Sequence, residues 1–139
     1  MSLSKEERDQ ILEELKEQYP ILEQTKFNEF NISDKLQENT QLYTKYKELY
    51  DQEKFVYNQL EEKMEVLKGQ RYDYYRFDYD RNLQKTEIEQ YYLPKDPKIL
   101  KMKKLLEKQK IKVDFFSLCL QGVNNLYWRI KAYLDNEKL

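Results

Sequence analysis

Three features of the sequence predict an all-α chain. Leu, Lys, Glu and Gln are abundant while β-branched residues are sparse, and the first group are good helix formers. Apolar residues recur at alternating steps of three and four through two long segments, the spacing of a helical seam. Glycine occurs twice and proline three times in 139 residues, so few points interrupt a helix, and the prolines mark the joints. The predicted architecture is one domain over 1–139, a long antiparallel helical hairpin with a short N-terminal helix, which associates into a homo-oligomeric helical bundle.

Ser4-x-x-Glu7 reads as a capping box ahead of Ile11, Leu12, Leu15 and Tyr19, which predicts a short amphipathic helix over about 4–19. Pro20 opens a connector to Asn31, so residues 1–32 form an N-terminal helix and connector. Ser33 or Asp34 then caps a long helix over 33–76. Its seam is Tyr43, Tyr46, Tyr50, Tyr57, Leu60, Met64, Leu67 and Tyr74, eight of ten slots, with Glu53 and Arg71 in the other two. Gly69 lies inside this pattern at about 1 kcal/mol relative to alanine, which makes it the place for local bending. Residues 77–95 read as a loop and a short helix that ends before Pro94. Asp96-Pro97 supplies an N-cap and a proline at the first helical position, and so starts a C-terminal helix over 96–135.

In that helix Ile99, Met102, Leu106, Gln109, Val113, Phe116, Leu120, Val123, Tyr127, Ile130 and Leu134 hold the same alternation, with Gln109 the single polar slot. Beyond the seam, Leu105, Cys119, Leu126 and Tyr133 form a second stripe at multiples of seven. A helix apolar on most of its circumference needs more than one neighbour, and a hairpin supplies one. The interface between copies is therefore assigned to Phe116, Cys119, Leu120, Val123, Leu126, Tyr127, Ile130 and Tyr133. The alternative is a monomer whose extra stripe packs on its own N-terminal arm.

Histidine is absent and cysteine occurs once, which excludes a histidine base, a His-rich or Cys-rich metal site and a disulfide framework. The expectation is a binding or assembly protein, not an enzyme, with no catalytic residue, metal or cofactor. Cys119, between Leu118 and Leu120, reads as a packed thiol. Nothing approaches the run of about 18 apolar residues that spans a membrane, and the N-terminus lacks the apolar core of a signal peptide. No membrane partner and an intracellular location are expected.

The net charge of −1 conceals a strong polarity: residues 1–53 carry 7 positive and 13 negative charges, residues 95–139 carry 11 and 5. Between 95 and 112, eight lysines face only Asp96 and Glu107. Lys101, Lys104 and Lys108 lie off the seam on a face suited to phosphates, or to plain solvation. A second patch, Lys68 to Arg81, interleaves Lys68, Arg71, Arg76 and Arg81 with rings that include Tyr72. Cations hold phosphates and rings stack on unpaired bases, a combination suited to single strands. Asp73, Asp78 and Asp80 oppose that reading, and some of the tyrosines, Tyr74 above all, read as core. The candidate contacts are Lys68, Arg71, Tyr72, Arg76, Lys101, Lys104 and Lys108.

Several stretches together resemble the UvsY family of recombination mediators from T-even-type phages. They are Asn31-Ile32-Ser33 to Tyr46, Leu67-Lys68-x-x-Arg71-x-Asp73-Tyr74-Tyr75, Lys85-Thr86-Glu87, Asp96-x-Lys98-Ile99-Leu100-Lys101, and Phe116-x-x-Cys119 through Arg129 and Lys131. Their order and spacing carry the resemblance over about 27–134. It implies an oligomeric α-helical ring in the host cytoplasm. The ring would bind single-stranded DNA, contact the phage single-strand-binding protein and help load the phage RecA-like recombinase. The family's DNA-binding motif is a basic-x-Arg pair ahead of paired tyrosines, and Arg71 aligns with its arginine. The first basic position is Gly69 here, with Lys68 one residue earlier, while Arg76-Phe77 replaces the usual following glycine. Lys68 or Arg76 then supplies the other cation. The reading from a different class is a coiled-coil scaffold or adaptor that does not bind DNA directly.

Overall fold

A computed structural model describes residues 2–137. The order is α1 (Lys5–Gln18), α2 (Ile21–Gln24), α3 (Ile32–Asp73), a π-helical turn (Tyr74–Asp78), α4 (Lys85–Glu87), a second π-helical turn (Ile88–Tyr92), a 3-10 turn (Leu93–Lys95) and α5 (Pro97–Glu137). At 1.5 Å per residue α3 and α5 are each about 60 Å long. They run antiparallel, and three polar contacts fix their register: Asn39 Nδ2 donates to the Val123 carbonyl, Gln109 Nε2 to the Glu53 carbonyl, and Arg71 Nε to Asp96. Gln109 also reaches the Glu53 carboxylate. The polar slots of the two seams thus answer one another or a capping residue, which is how a seam tolerates them without an unpaired buried group.

The predicted capping box forms, with Glu7 N–H donating to Ser4 Oγ at 3.1 Å and Ser4 N–H to Glu7 Oε1 at 3.5 Å. From there α1 lies along α5 in the same direction. The Leu3 N–H donates to Glu107 Oε2 at 2.7 Å, and at the other end Ile21 rests over Gly122. Leu15, Tyr46, Phe115, Phe116, Cys119 and Val123 form the main core, with Tyr19 set edge-on against Phe116 at 5.0 Å. Two groups in it titrate late: burial pushes the Cys119 thiol up to about 12, and burial followed by nearby Cys119 and Tyr19 pushes the Tyr46 hydroxyl up to about 12. The connector continues onto the end of α5, where Arg129 Nη2 donates to the Thr25 carbonyl at 2.8 Å and Phe27 packs edge-on against Tyr133.

Several expectations need correction. Within the connector, Ile21–Gln24 closes one helical turn that seats Ile21 on α5. Neither Ser33 nor Asp34 caps α3; the helix begins at Ile32 behind Asn31, whose side chain accepts instead from the Asn28 N–H at 2.7 Å. Gly69 lies inside α3, four residues before its end, and a methyl group built there would meet nothing within 4 Å. Tyr74 is exposed and Tyr75 buried, the reverse of the seam reading. The backbone loosens into i→i+5 hydrogen bonding at Tyr74, so the phase slips and the next residue turns inward. Finally, most of the residues assigned to an interface between copies are covered within one copy: of the second stripe, Cys119 and Leu126 are buried, Tyr133 is half-buried against Phe27 and Leu105 is exposed, while the seam residues Phe116, Val123 and Ile130 are buried and Leu120 is half-buried. Of the residues assigned to an interface between copies, only Tyr127 is exposed.

Candidate nucleic-acid interface

The hairpin tip is organised by Asp96. As N-cap of α5 its Oδ1 accepts from the Lys98 and Ile99 N–H groups at 2.9 and 3.1 Å, while Oδ2 accepts from Arg71 Nε at 2.9 Å and from the Tyr75 hydroxyl at 2.6 Å. The Asp96 side chain is fully buried and that of Arg71 is 18% exposed. Burial alone would raise the Asp96 pKa, but the Tyr75 hydroxyl, the Ile99 N–H and Arg71 outweigh it and hold the carboxyl below its ordinary value. The Tyr75 hydroxyl is pushed up, first by burial and then by its bond to the carboxylate. One carboxylate thus joins the end of α3 to the start of α5. Beneath it Tyr75, Leu83 and Ile88 form a second small core, lined by Tyr72, Tyr79, Tyr92 and Leu93.

Above that core opens a cleft of about 530 Å³, lined by Arg71, Tyr74, Tyr75, Tyr79, Glu87, Tyr91, Tyr92 and Lys95. The Arg71 guanidinium carbon lies 4.3 Å from the centre of the Tyr74 ring, a cation–π contact at the cleft wall. Lys95 also borders a neighbouring apolar groove with Pro97, Leu100, Lys101 and Lys104. Aromatic cleft and lysine face are therefore one continuous surface.

On that face Lys101, Lys104 and Lys108 recur at three and four and so share one side of α5, opposite the buried Ile99, Gln109 and Val113. The two carboxylates of the segment are already engaged, Asp96 by Arg71 and Glu107 by Arg8 at 3.8 Å and by the Leu3 N–H. Among the described residues none of the eight lysines from Lys95 to Lys112 forms an ion pair. Positive charge here is uncompensated, which suits the phosphate backbone.

The predicted contacts separate accordingly. Lys101 and Lys108 are exposed and Lys104 half-buried, all on the lysine face. Arg71 lines the cleft with its Nε committed to Asp96. Arg76 is turned to the loop, its Nη1 donating to the Leu83 carbonyl at 3.0 Å. Tyr72 packs against the small core, and Lys68 lines a separate pocket, 3.5 Å from Glu65 and beside Met64, Leu93 and Lys103. The structure thus does not gather Lys68, Tyr72 and Arg76 into the cleft. Lys95 and Tyr79, read in the sequence as members of the lysine cluster and of the aromatic patch, meet in this cleft, and the sequence did not single out Tyr91 and Tyr92. The signal for those two was the Tyr91-Tyr92 pair just ahead of Pro94-Lys95, on a stretch that is helical as expected.

A family model described as "Recombination, repair and ssDNA binding protein UvsY" matches residues 22–139. No curated protein and no solved structure matches the chain. The helix α1 lies before the matched span.

Proposed function

The chain belongs to the UvsY family of recombination, repair and single-stranded DNA binding proteins, and on that premise we propose that it is a recombination mediator. In this reading it holds single-stranded DNA along the lysine face of α5 and helps load the phage RecA-like recombinase onto DNA coated with single-strand-binding protein. The observation that supports it is the row of lysines whose neighbouring carboxylates are both spent elsewhere. A recombinase filament nucleates slowly on coated DNA because the coat must first be displaced, and several weak sites on one assembly raise the local concentration of bare strand. Adding the protein to coated single-stranded DNA is expected to shorten the lag before the recombinase hydrolyses ATP. A lag unchanged over a range of protein and salt concentrations would favour a scaffold that does not touch DNA.

Multivalency needs several copies, and a row of exposed residues on α5 supports a place for them to meet. Leu118, Gln121, Asn125, Trp128 and Ala132 keep the 3-4 alternation on the side away from α1 and α3. Leu118 is 63% and Trp128 54% exposed. We assign the contact between copies to this seam in place of the covered stripe, with the ring the family resemblance implies as its product. Leu118→Ala with Trp128→Ala is expected to shift the sedimentation of the protein to smaller species at micromolar concentration, the helix content being unchanged. An unaltered distribution would return the interface to Tyr127 and its neighbours.

A further inference from the structure

We propose that the tyrosine cleft at the hairpin tip receives one unstacked base of the bound strand, held against the ring of Tyr91, with the adjoining phosphate on Lys95. The inference rests on the single-strand reading above and adds to it a base-binding site distinct from the lysine face.

Tyr91 differs from the other rings of the cleft. Tyr74, Tyr75, Tyr79 and Tyr92 are satisfied by one another, in edge-on and tilted pairs with centroids 5.1 to 6.0 Å apart. Tyr91 has no aromatic or cationic partner among the described residues and is 60% exposed, yet it lines the cleft. A largely exposed ring at a cleft wall, without an aromatic or cationic partner, is available for stacking, and bases stack on such rings whatever their sequence. The cleft's volume of about 530 Å³ lies in the range of small-ligand sites. Phosphate is steered to one side of it: Lys95 is exposed and without an ion pair, whereas Glu87, the one carboxylate on the wall, repels phosphate and can accept from a base amino group. Because Lys95 also borders the groove with Lys101 and Lys104, a strand whose phosphates follow the lysines arrives at the cleft with its next base free to turn in.

The test uses the full-length protein and a single-stranded oligonucleotide carrying a fluorescent aminopurine. The parent protein is expected to change the probe's fluorescence on binding, as stacking does. Tyr91→Ala should weaken binding about tenfold and abolish the fluorescence change, with the salt dependence retained, and Tyr91→Phe should restore both. Lys95→Ala should weaken binding and flatten the salt dependence. If Tyr91→Ala binds and reports like the parent while substitution of Lys101 and Lys104 weakens binding, the cleft proposal is overturned and the single-strand reading stands. If the parent fails to bind the oligonucleotide at low salt, both are overturned.

Discussion

Asp96→Ala is expected to lower the free energy of unfolding by about 3 kcal/mol, the low end of the range for breaking a buried ion pair. The low end applies because Arg71, at 18% exposure, keeps some access to cleft water when its partner is gone. Arg71→Ala should be at least as damaging, since it leaves a fully buried carboxylate with the Tyr75 hydroxyl and two backbone N–H groups but no cation. The double substitution should cost less than the two single ones added, because each already breaks the same pair. Urea unfolding of the three variants measures this, and strict additivity would show the pair to be incidental. Binding supplies an independent reading. Charge alone predicts that removing Asp96 from the edge of a basic face tightens DNA binding. If the carboxylate instead holds the tip in shape, Asp96→Ala should weaken it.

The same clamp gives stability a pH dependence of known sign. Asp96 has a lower pKa folded than unfolded, so its contribution is complete above the unfolded value of about 4 and is lost as pH falls through the folded value. At the alkaline end the sign reverses. Cys119 and Tyr46 are raised to about 12, so their contribution is complete below their unfolded values, about 8.5 and 10, and declines as pH rises toward 12.

The two long helices were legible because their seams repeat over ten or eleven slots, and a pattern that long has one period. Even the exceptions in those seams were informative. Glu53 and Gln109, each an odd polar residue in its own helix, bond to each other, and Arg71 bonds to the residue that starts α5. The hairpin tip was legible only in outline, as a loop followed by a short helix. Between Tyr74 and Lys95 the chain makes two π-helical turns and a 3-10 turn, whose side-chain periods match neither helix nor strand. This is why Tyr74 and Tyr75 exchanged places and why Tyr91 went unnoticed. The surplus apolar stripe on α5 is legible in the sequence, but a stripe does not say whether its cover comes from the same chain or from a second copy. Site charge was readable from the count of lysines, whereas the commitments of Arg71 and Arg76 to Asp96 and the Leu83 carbonyl needed the fold.

Lys101→Ala, Lys104→Ala and Lys108→Ala combined should produce the largest loss of DNA affinity. Each phosphate contact on a single strand contributes about 0.7 to the slope of log affinity against log salt, so three lost contacts flatten the slope by about 2. Near 0.15 M salt that corresponds to about a 50-fold weaker complex, converging on the parent as salt rises. The fold should persist, because Lys101 and Lys108 are exposed, Lys104 is only half-buried and alanine is the best helix former. A matched control removes Lys16, Lys26 and Lys47, cations of the acidic N-terminal half that are each paired with a carboxylate. Their loss should leave the slope unaltered, although net charge changes by the same amount. Equal effects from the two sets would mean that the strand responds to overall charge alone, and the lysine face of α5 would lose its claim to be the path of the DNA.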